Sequence, residues 1–420
     1  MKPAARVQAV IDILEGLENT AQPVDRYLRD WAKAHRFAGS KDRAAIGERI
    51  FAIQRHRESF AWRMRSDAPR ALAIASLLHE NFDEPALEAL FNGEGYGAAK
   101  LSEEERAFIL LPPKDSPPLH VQGEFPEFLE NELSEIFGAN LLPEMAAFTQ
   151  RAPIDLRVNT LKTLREDVLA QLRADGYDAN LALYSPLGIR IPPGAGGALS
   201  KSPVFENGLF DFQDEAAQIA SLLCAAKPGT RILDLAAGAG GKSLALAAEM
   251  NNLGEIVACD IRRDALDQLA QRATRAGATI IHPQMADALG PQSFDLVLVD
   301  APCSGSGTWR RQPELKWRLT QARIAEFTQI QDQLLAQAAS RVRPGGRLVY
   351  ATCSLLRSEN ERRIAALLAS APGFTPVSAA AIWREVTGGA PPPSMGEFFR
   401  ATPYLTGTDG FFAAILARAV

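Results

Sequence analysis

The spacing of apolar positions divides the chain into three stretches. Through residues 4–110 they recur at helical intervals. Val7, Val10, Ile11, Ile13 and Leu14 make one stripe, and Ser40 to Arg65 is another long amphipathic run. The stretch LPPKDSPP (111–118) breaks this pattern as a linker, and two more helices are predicted around 126–137 and 141–149. From Ile154 the period changes. IDLRVN and GIRIPP read as short strands, TLREDVLAQLRADG as a helix between them, and GGALSKSP as a loop. Together they make a small α+β module.

From Gln213 onward apolar runs alternate with amphipathic ones. RILDL, EIVACD, TIIHPQ, FDLVLVD and GRLVYATC are the predicted strands. KSLALAAEM, RDALDQLAQRATRAG and the long LTQARIAEFTQIQDQLLAQAASRV are helices. Near-continuous apolar strands between helices imply a parallel sheet covered on both faces. That is a doubly wound α/β domain, whose ligand lies at the carboxyl ends of the strands. The expected division is an all-α domain over 1–140, the α+β module over 150–205 and the α/β domain over 206–420.

Composition narrows the class. The chain has 420 residues, 47% hydrophobic and 23% charged, with a mean hydropathy of −0.08. No apolar run reaches the ~18 residues of a membrane span, and the N-terminus lacks the apolar core of a secretory signal. No membrane role is expected. Four cysteines without CxxC spacing and five histidines predict neither a disulfide framework nor a metal site. A reducing cytoplasm fits that usage. Net charge is −5, but it is uneven. Residues 1–66 carry 13 Lys and Arg against 8 Asp and Glu, whereas 67–150 carry 4 against 16. A local basic patch for nucleic acid remains open.

The first α/β strand runs into ILDLAAGAGGKS (232–243). Small residues there let a ligand approach the backbone at a helix N-terminus. A dinucleotide fingerprint starting at Gly238 needs glycine where Ser243 stands. A strict P-loop needs glycine where Ala236 stands, although Lys242 and Ser243 are well placed for one. The third reading is S-adenosylmethionine (SAM). It expects acids at successive strand ends, and Asp234, Asp260 and Asp287 occupy them, with Asp260 placed for ribose hydroxyls. Each acid alone reads better as a cap or loop residue; the three together favour the cofactor.

Two further strands end in cysteine: FDLVLVDAPCSGSG at Cys303 and GRLVYATCSLL at Cys353. Cys224 and Cys259 fit small core hydrophobes, but these two sit in polar loops on the expected ligand edge. Their chemistry suits cytosine. Carbon 5 of cytosine is a poor nucleophile until a thiolate adds to carbon 6, after which the carbon 5 proton and the thiolate must leave. Asp300 is placed to meet ring N3 and the exocyclic amine.

The set ILDLAAGAGGKS, VACDIRRDAL, FDLVLVDAPCSGSGTWRR and VYATCSLLRSENE resembles the RNA cytosine-5 methyltransferases of the RsmB/NSUN family, as do FDFQDEAAQIA (210–220) and GTDGFFAAILAR (407–418). RVNTLK (157–162) is similar to the opening of that family's RNA-binding α+β module. GSKDRAAIGERIFAIQRHRESFAW (39–62) resembles the NusB-type helical domain of bacterial members. The resemblance implies a Rossmann-like SAM-dependent methyltransferase domain. Cys353 would be the nucleophile at carbon 6, Cys303 the group assisting release, Asp300 a cytosine contact and Lys242 a lysine near cofactor and base. Ala236, Ala237, Gly238, Ala239, Gly240, Gly241 and Lys242, with Asp260, Asp287 and Asp300, would hold the cofactor. The family loop is close to D-x-C-A-A-P-G-G-K-T. This chain has Ala236 for cysteine, Gly238 for alanine, Ala239 for proline and Ser243 for threonine, and losing the proline should loosen the loop.

The resemblance therefore implies a cytoplasmic, monomeric SAM-dependent RNA (cytosine-5)-methyltransferase acting on small-subunit ribosomal RNA. RNA contacts are expected at Trp309, Arg310, Arg311, Lys316 and Arg318, and a basic helix face at Arg49, Arg55, Arg57, Arg63 and Arg65. The competing readings are the same chemistry on transfer RNA, an ATPase using AGAGGKS as its P-loop, and a NusB-like RNA adaptor without catalysis.

Overall fold

A computed structural model describes all 420 residues. The chain forms two bodies. A helical body comprises Met1–Gln150 and Trp309–Arg318; an α/β body comprises Arg151–Thr308 and Leu319–Val420.

The helical body follows the sequence pattern closely. Its central helix, Pro69–His79, is apolar on every side and buries Ala71 through Leu77. Helices Pro3–Glu18 and Ser40–Arg55 contribute Val10, Ile13, Ile46 and Ile50 to the same core. The expected run from Ser40 to Arg65 is broken at His56, where φ is −119° and ψ 30°. Helix Glu103–Leu110 starts on a capping box, with Ser102 and Glu105 each satisfying the other's backbone N–H.

Trp309–Arg318 belongs to this helical core. Trp309 is fully buried and meets Phe148 edge-on at 6.0 Å. Lys316 is also buried and donates to the carbonyl of Glu124 at 2.9 Å. The Trp309 and Trp317 rings lie 5.8 and 5.2 Å from its Nζ. Burial pulls the Lys316 ammonium down to about 8. Trp317 Nε1 donates to the Gln54 carbonyl at 2.7 Å, and Arg318 to those of Ala21 and Gln22. Arg310 is buried as well. The expectation that Trp309, Arg310, Lys316 and Arg318 grip RNA is thus corrected: Trp309, Arg310 and Lys316 are buried, and Lys316 and Arg318 end on main-chain oxygens of the helical body.

The expected basic face is also largely engaged internally. Arg49 pairs with Glu80 at 2.8 Å and Arg57 with Glu18 at 3.6 Å. Arg63 donates to the carbonyls of Phe108 and Ile109, and Arg65 lies over the Phe108 ring.

The α/β body holds twelve strands: β1 Ile154–Val158, β2 Asn180–Leu181, β3 Gly188–Ile191, β4 Phe210–Phe212, β5 Arg231–Asp234, β6 Glu255–Asp260, β7 Ile281–Met285, β8 Phe294–Asp300, β9 Val342–Thr352, β10 Phe374–Val377, β11 Phe399–Ala401 and β12 Phe411–Arg418. The first four form an antiparallel sheet of order β2-β3-β1-β4, packed on helix Arg165–Ala174 through Leu156, Val168, Leu172 and Ile189. Because β4 pairs with β1, this sheet continues to residue 212, past the expected boundary at 205.

The large sheet has the order β7-β6-β5-β8-β9-β12-β10, with β11 also on β12. β5 through β9 are mutually parallel; β12 runs antiparallel to β9. The last three strands were missed in the sequence. FFAAILAR is a continuous apolar run, whose period does not separate a buried strand from a buried helix. Strand order reverses between β5 and β8, and this opens a crevice at their carboxyl ends.

Candidate functional site

The loop leaving β5 takes its shape from two glycines in the left-handed region, Gly238 (φ 55°) and Gly240 (φ 79°). Helix Gly241–Glu249 follows directly. At its base Asp234 is 1% exposed and accepts from Ser243 Oγ at 2.6 Å, so the serine keeps the hydroxyl that the family threonine would supply. Its other oxygen, Oδ1, has no partner. Burial first, and then the charge of Asp300, raise the Asp234 carboxyl to about 7 against the pull of Ser243 and Lys242. At the end of β6, Asp260 accepts from the N–H of Gly238 and that of Arg262, both at 2.8 Å. Burial opposes its ionisation, but these bonds and the Arg262 guanidinium hold the carboxyl below its usual range. Asp287 stands exposed on the turn Ala286–Ala288 after β7. The three acids therefore follow three neighbouring strands.

Three residues brace this loop without having been marked in the sequence. Arg157 on β1 donates to the Gly241 carbonyl, and Arg272 donates to that of Ala239, both at 2.6 Å. Asp211 on β4 lies 3.8 Å from Arg157 and 3.5 Å from Arg272, and Arg275 bonds it as well. The guanidinium on Ala239 restrains the position where the family proline is missing.

The chemical groups gather across β8 and β9. Lys242 is buried, and its Nζ is 2.6 Å from Asp300 Oδ2 and 5.0 Å from the Phe411 ring centre. Burial alone would lower the Lys242 ammonium, but Asp300 raises it, with smaller help from Asp234 and Cys353. Lys242 is therefore a fixed cation. Cys303 and Cys353 are free thiols with Sγ atoms 3.4 Å apart. The bond to Cys353 and then burial raise the Cys303 thiol well above its ordinary value. Cys224 and Cys259 are buried in the core, as expected.

Tertiary contacts that the sequence does not display lock the two cysteine loops together. Gly307 donates to the Cys353 carbonyl at 2.9 Å and accepts from Gly410 at 2.8 Å. The glycines press so closely that a Cβ on Gly307 would fall 2.0 Å from the Gly410 carbonyl oxygen. Beneath them Ser304, Ser306 and Ser354 surround the buried Glu359.

This strand order, with the reversed β12 set beside β9, makes the α/β body a Rossmann-like methyltransferase domain. Residues 221–417 match the family described as 16S rRNA methyltransferase RsmB/F, and residues 125–194 match the ferredoxin-like domain described for the same proteins. The chain is similar to the "Probable ribosomal RNA small subunit methyltransferase B" of Bacillus subtilis, 30% identical over 71% of this chain and 68% of that one. A relative of the same name from Synechocystis is 33% identical over 76% and 72%. The solved structure of a protein designated PH0851 superposes with a TM-score of 0.76, at 27% identity, across 99% of each chain. The protein belongs to the RsmB/F methyltransferase family.

Proposed function

We propose that this protein methylates carbon 5 of a cytosine in small-subunit ribosomal RNA, using SAM and a transient covalent bond from Cys353 to carbon 6. The carrying observation is the 3.4 Å approach of Cys303 to Cys353 at the strand edge that also holds the Lys242–Asp300 pair. The names of the relatives support ribosomal RNA as the substrate class.

The crevice fits SAM on its own chemistry. Asp234 offers a buried, unpartnered carboxylate oxygen to a cationic or N–H donor. A Cβ on Gly238 would meet only the end of the Arg262 side chain, at 3.6 Å, which leaves the loop open to a ligand. Residues 236–242, with Asp260, Asp287 and Asp300, would hold the cofactor. When bound, SAM supplies an electrophilic methyl group on a sulfonium sulfur. A P-loop is disfavoured, because Lys242 is engaged by Asp300 instead of facing a phosphate site.

The thiolate of Cys353 bonds to carbon 6, and the electron pair displaced into the ring makes carbon 5 nucleophilic. Asp300 meets N3 and the exocyclic amine, and Lys242 holds Asp300 in place. Once carbon 5 carries the methyl group, it gives its proton to solvent water, that carbon–hydrogen pair re-forms the carbon 5–carbon 6 double bond, and the sulfur–carbon 6 pair leaves with Cys353 as its thiolate. Cys303, beside the departing sulfur, assists that release. The base must leave its stack to reach both sulfurs, so loosened or single-stranded RNA is the expected substrate form.

The test is methyl transfer from labelled SAM to ribosomal and transfer RNA taken from a strain lacking this protein, mapped by bisulfite sequencing. A 5-methylcytosine in small-subunit RNA is expected. Product in transfer RNA moves the substrate and keeps the chemistry; SAM binding with no transfer to RNA or assembling subunits overturns the catalytic reading.

A further inference from the structure

Glu359 is fully buried in the α/β body, six residues past Cys353. Its Oε1 accepts from the Ser304 N–H at 2.8 Å and from Gln331 Nε2 at 3.1 Å. Its Oε2 accepts from the hydroxyls of Ser304 and Ser354. Ser304 directly follows Cys303, and Ser354 directly follows Cys353. One carboxylate therefore joins the residues adjoining both reactive sulfurs.

The surroundings favour a geometric role. The hydroxyls of Ser304, Ser306 and Ser354 lie within 3.1–3.2 Å of one another, and Ser306 Oγ also accepts from the Leu355 N–H at 2.8 Å. Glu359 is itself pinned, because Tyr350 donates its hydroxyl to the Glu359 carbonyl at 2.6 Å. Its neighbour Asn360 accepts from Thr352 at 2.6 Å and donates to the Ser354 carbonyl at 2.9 Å. Burying a carboxylate is unfavourable unless its lone pairs are met, and an apolar plug would fill the same space without that cost. A satisfied network instead fixes one arrangement of the groups it joins.

We propose that Glu359 is a positioning residue that holds the Cys303 and Cys353 loops at working distance. It acts through the two serines and touches neither sulfur. This role rests on the cysteine chemistry assigned above, but one of its readouts does not. Phenylarsine oxide bridges two thiols only when they are close, forming two arsenic–sulfur bonds and releasing water. Capture of Cys303 and Cys353 by this reagent, read by mass spectrometry of their peptides, requires no methyl transfer.

In the full-length protein, capture is expected to weaken at least tenfold in Glu359→Ala and less in Glu359→Gln, which retains one acceptor oxygen. In the methylation assay kcat should fall ten- to hundredfold while KM for SAM stays within threefold, a split that general destabilisation would not give. Ser354→Ala, which removes one arm, should show the same pattern more weakly and serves if Glu359→Ala does not fold. Wild-type capture and wild-type kcat in Glu359→Gln and Ser354→Ala would overturn the positioning role. Glu359-dependent capture in a protein that methylates no RNA would sustain the positioning role and refute the assigned reaction.

Discussion

The Sγ atoms of Cys303 and Cys353 stand 3.4 Å apart although fifty residues separate them in the chain. The bond to Cys353 and burial raise the Cys303 thiol, and in the reaction proposed above Cys353 is the attacking sulfur. Cys353→Ala should abolish methyl transfer. Cys303→Ala should start the reaction but release poorly, leaving a protein–RNA adduct that shifts on a denaturing gel. Normal turnover by the first variant, or no shifted band with the second, would reverse these roles.

Asp234 makes the ligand-free protein sensitive to pH. Its carboxyl titrates at about 7 when folded, against ~3.9 in an unfolded chain. The folded state therefore binds that proton more tightly. Its stabilising effect is full below about pH 4 and is lost as pH rises to about 7, a span worth on the order of 4 kcal/mol. Asp234→Asn should flatten this slope, leaving the part that Glu249, raised by burial to about 8, contributes with the same sign. It should also raise the melting temperature of the ligand-free protein at pH 8 relative to wild type and weaken SAM binding about tenfold or more. Melting curves at pH 5 and pH 8, with titration calorimetry, decide it. Parallel pH profiles in the two proteins would refute the account.

Much of this site was legible because parallel strands deliver their carboxyl ends to one edge. Asp234, Asp260, Asp287, Asp300, Cys303 and Cys353 could thus be placed from strand boundaries alone. Glu359, Asp211 and Gly410 could not, because each matters through partners distant in sequence that only packing brings near. The residues after Cys303 misled for a related reason. Trp309, Arg310 and Lys316 have the composition of an RNA grip, and charge patterning does not reveal that a buried main-chain carbonyl awaits Lys316. Glu314 and Lys316 are buried there while Leu315 and Trp317 are only half-buried, so the alternation of apolar and charged residues points the wrong way.

Asp211 joins three arginines, two of which hold carbonyls of the loop after β5. Removing one member of a buried charge cluster typically costs ~3–5 kcal/mol. Asp211→Ala should lower the melting temperature and raise the Kd for SAM, and Arg272→Ala should raise that Kd with a smaller effect on melting. Unchanged SAM affinity in Arg272→Ala would mean that Ala239 needs no brace.

Gly410→Ala should open the cysteine loops from the opposite side. A Cβ there would lie 2.6 Å from Gly307 Cα, so backbone must shift. Overpacking of this kind costs ~1–3 kcal/mol. Turnover should fall more than SAM affinity does, because the displaced atoms adjoin Cys353 and not the β5 loop. Equal losses in both would instead indicate a general collapse of the domain.

The membership of Trp309–Arg318 in the helical body sets the order of events during synthesis. Domains generally fold as the chain emerges, N-terminal part first. Here residues 1–150 leave the ribosome before Trp309, which meets Phe148, and Lys316, which meets the Glu124 carbonyl, have been made. The core from Val7 to Ile109 is complete within those residues, whereas the end that carries Phe148 and Glu124 waits for residue 318, by which time β1 to β8 have already been made. A gene cut at residue 150 would therefore encode a helical body whose last-formed side has lost its cover.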